Sequence, residues 1–116
     1  MTQYRFERDA ASLGSLASEG ELLARQAAAG DAPAPFVAAH ASEVGADAGD
    51  LASVVASTDA QGGLASKSRE LAALAHSVDS LLERLEHSPD DRALATQVAD
   101  HLGAIGDRAA RLEASA

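Results

Sequence analysis

Between Leu64 and Leu85 the large apolar residues recur at gaps of three and four: Leu64, Leu71, Leu74, Val78, Leu81 and Leu85, with Lys67 the one interruption. At ~100° per residue this spacing lays them along one stripe of a helix, while Arg69, Glu70, Asp79, Glu83 and Arg84 point elsewhere. Such a stripe is stable only where other helices cover it. The segment therefore commits the chain to an all-α fold and poses the question of what supplies the cover.

Three further segments have the right pattern. From Phe6 to Ala29, Leu13, Leu16, Gly20, Leu23 and Ala27 share a face, with Ala10, Ala17 and Ala24 beside them and Leu22 on the far side, where it is expected to be exposed. Thr2 and Asp9 are both acceptable N-caps, and Gly30-Asp31-Ala32-Pro33 supplies the stop. Pro35 suits a first helical turn, so a second helix is expected from Pro35 to Ser57 with Val37, Val44, Leu51 and Val55 as its stripe. Gly45 and Gly49 inside it cost ~1 kcal/mol each relative to alanine, which makes Gly49 the expected weak point. Gly62-Gly63 marks a loop before the third helix, Leu64 to His87.

Ser88-Pro89-Asp90-Asp91 then reads as an N-cap serine, a proline in the first position and two acids in the first turn. The fourth helix is placed at Pro89 to Glu113, with Leu94, Val98, Leu102, Ile105, Ala109 and Leu112 on one face. Short loops between helices of this length imply a single domain over residues 1–116, an antiparallel up-down-up-down four-helix bundle. Much of the 47% hydrophobic content is alanine, so its core is expected to be thin.

The formal net charge is −9. Nucleic-acid phosphates and anionic membrane surfaces both require a basic face, and neither is an expected partner. Without cysteine there are no disulfides and no thiolate sites. The stretch Met1 to Arg8 carries charge where a signal peptide would be apolar, and no apolar run of ~18 residues follows, so the expected location is the cytoplasm. Size, acidity and alanine content resemble those of the small helical substrates of type VII secretion. That likeness stops at composition: tryptophan, and with it Trp-x-Gly, is absent, and Tyr4 lies at the wrong end for a C-terminal Tyr-x-x-x-Asp/Glu signal.

Catalytic signatures are missing. There is no Gly-x-Ser-x-Gly elbow and no cysteine nucleophile, and Lys67 stands in no phosphate loop. Di-iron bundles use Glu-x-x-His, whereas Val37, Ala73, Arg84 and Val98 stand three residues before His40, His76, His87 and His101. The expectation is a protein without enzymatic activity or cofactor.

Two features of the second helix stand out. His40, Glu43, Asp47 and Asp50 follow one another at heptad spacing as a polar ridge, and no Lys or Arg occurs between Arg25 and Lys67. The ridge reads in three ways: a solvated edge partly neutralised by Arg25, Arg69 or Arg84; a surface facing a basic partner; or a divalent-metal site in which His40 with Glu43 or Asp47 is joined by His101 from the fourth helix. Separately, Ala38, Ala41, Gly45, Gly49, Ala52 and Ala56 form a strip of small residues outside the main stripe, with a shorter echo in Ala95, Ala99, Gly103, Gly106 and Ala110. Either alanine-rich composition produces the strip, or it is a smooth surface on which another helix packs closely. The leading functional expectation is an association module, forming a homodimer or binding a protein partner through Ala41, Gly45, Gly49, Ala52, Ala56, Glu43 and Asp50. The alternative is a metal-ion or small-ligand bundle using His40, Asp47 and His101.

Overall fold

Thr2 opens the first helix. Its side-chain oxygen accepts the Arg5 N–H, so α1 runs from Gln3 to Ala29 in the computed structural model, which describes residues 1–116. Capping at Thr2 rather than Asp9 adds the turn that carries Phe6 fully into the core. Gly30 ends the helix with φ 74°. Its N–H donates to the Ala27 carbonyl and that of Asp31 to the Gln26 carbonyl, a pair of bonds that closes the C-terminus in the left-handed conformation glycine favours.

α2 spans Ala34–Ser57 and α3 Gly63–His87. α2 runs unbroken through both internal glycines, with no break at Gly49. α4 spans Arg92–Ala114, starting three residues later than the Pro89 read from the sequence. Ser88 closes α3 by donating its N–H to the Arg84 carbonyl, and the N–H of Asp91 returns to Ser88 in a tight turn. Asp91 is the true cap, its carboxylate accepting the Leu94 N–H at 3.0 Å.

The helices form an antiparallel bundle with no strand. Glu70 near the start of α3 meets Arg108 near the end of α4, and Arg25 near the end of α1 meets Asp100 in the first half of α4, as the up-down-up-down order requires. The pairs are unequal. α1 packs most extensively on α4 and α2 on α3, while the hairpin neighbours α1–α2 and α3–α4 touch less. α1 also reaches α3 across the short diagonal, and α2 and α4 do not meet. The cross-section is thus a flattened rhombus, with overall extents of 45 × 22 × 16 Å.

The small residues set this inequality. Ala41, Gly45 and Ala48 of α2 are buried. A Cβ on Gly45 would lie 3.3 Å from the Asp79 carboxylate and 3.5 Å from the Leu82 Cβ. On α4, Ala95 and Ala99 are fully buried, and a Cβ on Gly106 would stand 3.7 Å from that of Ala17 on α1. Helices whose facing side chains are short approach closely. The strip expected on the outer face of α2 is therefore internal at Ala41 and Gly45, half-covered at Gly49 and Ala52 and exposed at Ala56. The three buried valines of α2 make a narrow stripe, and the bundle widens it by taking in the neighbouring small residues.

Leu82 corrects the stripe drawn for α3. It is fully buried, whereas Leu64 and Leu74 are only partly so. Glycine makes room for it: a Cβ on Gly20 would meet the two Leu82 methyls at 3.3 Å and a Leu102 methyl at 3.0 Å. Two polar atoms, Asp9 Oδ2 and Ser68 Oγ, are buried without a hydrogen bond. No helix is long and apolar enough to cross a membrane.

Candidate functional site

The three residues of the suggested metal site are not brought together. His40 Nε2 lies 3.0 Å from Glu19 Oε1 on α1, and its ring meets Phe36 edge-on at 5.5 Å. Asp47 is exposed, and His101 faces α3 from a helix that does not touch α2. The rhombus is the reason, since α1 and α3 close the short diagonal and hold α2 and α4 apart. Nowhere do three His, Asp or Glu side chains converge closely enough to hold a metal ion.

The expected neutralisation of the ridge is also corrected. Arg25 binds Glu21 at 2.9 Å and Asp100 at 3.4 Å, which holds its guanidinium above the ordinary arginine value, with the Glu21 hydrogen bond the largest cause. Arg69 and Arg84 make no ion pair at all. Glu43, Asp47 and Asp50 are exposed, have no cationic partner, and sit on a helix that contains no lysine or arginine.

The ridge belongs to a longer line. Phe36, His40, Glu43, Asp47, Asp50 and Val54 follow one stripe of α2, with an apolar residue at each end. Phe36 is 50% exposed and Val54 43%. The other two large apolar residues left open to solvent, Tyr4 at 69% and Leu22 at 62%, are on α1. Leu22 is one turn beyond Glu19 and Phe36 one turn before His40, so the Glu19–His40 contact sets Leu22 and Phe36 level with each other near the α1–α2 loop. Tyr4 and Val54 lie toward the opposite end of the same pair, where the Met1 ammonium donates to the Asp59 carbonyl. Leu22 was legible as exposed from its position off the stripe. Tyr4, Phe36 and Val54 carry the same signal, a large apolar side chain outside the buried face of its helix.

The lightly packed α3–α4 seam opens into a groove of about 460 Å³. α3 lines it with Ser77, Ser80, Leu81 and Arg84, one helical stripe, and α4 with His101, Ala104 and Ile105. A second hollow of about 560 Å³ shares Ser80 and Arg84 and extends the groove to His87 and Leu94, with Glu83 among its walls. At the far end of the seam Glu70 and Arg108 clasp the two helices, and that guanidinium holds the Glu70 carboxyl below the usual carboxylate range.

No known protein family, no curated protein and no solved structure matches this chain.

Proposed function

We propose that this chain is a non-enzymatic association module that docks on a protein partner through the outer face of α1 and α2, and that the partner presents a basic, partly apolar surface. One observation carries the reading: all four large apolar residues left open to solvent lie on α1 and α2, and on α2 they bracket three carboxylates with no cation to meet them. Exposed apolar side chains beside a charged rim have the makeup of a recognition surface. The face differs from the strip expected from sequence, because α3 of the same chain already occupies most of that strip.

A basic partner suits the surface better than a second copy. In a two-fold contact each α2 ridge would approach its own image and set carboxylates against carboxylates. Sedimentation velocity at low ionic strength is therefore expected to show a monomer at micromolar concentration. Affinity capture from the native source, run in parallel with wild type, Phe36→Ser and Asp47→Lys, tests the rest. The expected result is one or more proteins held by wild type, released by moderate salt, lost with both variants and rebinding when purified. A retained set that both variants leave unchanged would overturn the proposal.

A further inference from the structure

We propose that the groove between α3 and α4 binds a small anionic amphiphile, a carboxylate head on an apolar tail, independently of the α1–α2 face. The groove exists because short side chains stand where a bundle of this kind needs long ones: Ser77 and Ser80 on α3 face Ala104 on α4, and no neighbouring element fills the space. Its volume of about 460 Å³ falls in the range of small-molecule sites.

The floor is apolar, made by Leu81, which is 8% exposed, and the half-buried Ile105. Around this floor the rim is cationic or hydrogen-bonding, and the one acid of the groove, Glu83, lines only the extension beyond Arg84. Arg84 makes no ion pair in a chain where acids outnumber lysines and arginines by 18 to 9, and the Ser80 hydroxyl makes no hydrogen bond within the chain. His101 adds a ring N–H from the opposite wall. A guanidinium fork beside a hydroxyl favours a carboxylate, and the adjoining floor favours an acyl or aryl tail.

The test is a titration of the labelled protein, followed by amide NMR, with decanoate, butyrate and decyltrimethylammonium. Decanoate is expected to give saturable shifts confined to the segments from Ser77 to Ser88 and from Leu94 to Ile105, with a dissociation constant of about 1 mM for a ligand of this size. Arg84→Gln, an exposed position whose loss leaves the fold intact, is expected to weaken binding about fivefold. Ala104→Leu fills the groove and is expected to abolish binding while the helical circular dichroism stays that of wild type. Butyrate, lacking the tail, and decyltrimethylammonium, with the opposite charge, are expected not to saturate. Shifts scattered over all four helices, equal response to the cationic amphiphile, saturation by butyrate at the same concentration, or unchanged affinity in Arg84→Gln would each overturn the proposal.

Discussion

A Cβ placed on Gly49 would stand 2.8 Å from the Asp79 carboxylate oxygen, so with glycine there α2 lies against the Asp79 side chain of α3, which any larger residue would have to push aside. The contact explains why a helix carrying two costly glycines stays intact. What each glycine loses in helix propensity is offset by the closer approach of a neighbouring helix.

The glycines should therefore separate by location. Gly45→Leu, which drives a side chain into Asp79 and Leu82, is expected to destabilise the protein by about 2 kcal/mol. Gly14→Ala, in a helix interior with nothing within 4 Å of the added Cβ, is expected to gain up to about 1 kcal/mol. Urea unfolding of the two variants reads both signs.

Leu82 and Phe36 should separate in the same way. Leu82→Ala empties a fully buried position beneath Gly20 and is expected to cost about 3 kcal/mol. Phe36→Ser and Val54→Ser act on side chains about half open to solvent and are expected to stay within about 0.5 kcal/mol of wild type. Thermal melts of the three proteins provide the comparison.

Ser68 is 5% exposed and its hydroxyl has no hydrogen-bond partner. Ser68→Ala removes an unsatisfied group in the second turn of α3 and improves helix propensity, so it is expected to stabilise the fold by about 1 kcal/mol. A lower midpoint in the variant would mean that the hydroxyl is bonded in solution.

Glu70 should report its pairing with Arg108 through pH. Its carboxyl is held low chiefly by the hydrogen bond from Arg108, so the contact favours the folded state above the unfolded carboxylate value, about 4.3, and is lost as pH falls through the lower folded value. Carboxyl NMR titration is expected to show Glu70 below the ordinary range in wild type and back within it in Arg108→Gln.

The four-helix architecture was readable because apolar residues at gaps of three and four leave little choice of fold, as at Leu71, Val78 and Leu85. Pairing was less legible. The direction in which Gly45 and Gly49 face depends on how far the buried sector of α2 extends past its valines, and only the position of Asp79 and Leu82 decides that. The start of α4 was misplaced because Ser88 and Asp91 are both good caps, and the chain uses the serine to close the helix before. The triad of His40, Asp47 and His101 draws on α2 and α4, which stand on a diagonal even in a square bundle. In a rhombus α2 and α4 lie on the long diagonal, and no helical-wheel argument on single helices contains that information.

The central claim is that α2 turns its small-residue face to α3 and leaves the face from Phe36 to Val54 free for a partner. The most direct measurement is paramagnetic broadening of NMR signals by a soluble nitroxide. Signals of Leu22, Phe36 and Val54 are expected to broaden strongly, and those of Ala41 and Gly45 to persist. Broadening at Gly45 with protection at Phe36 would contradict the account.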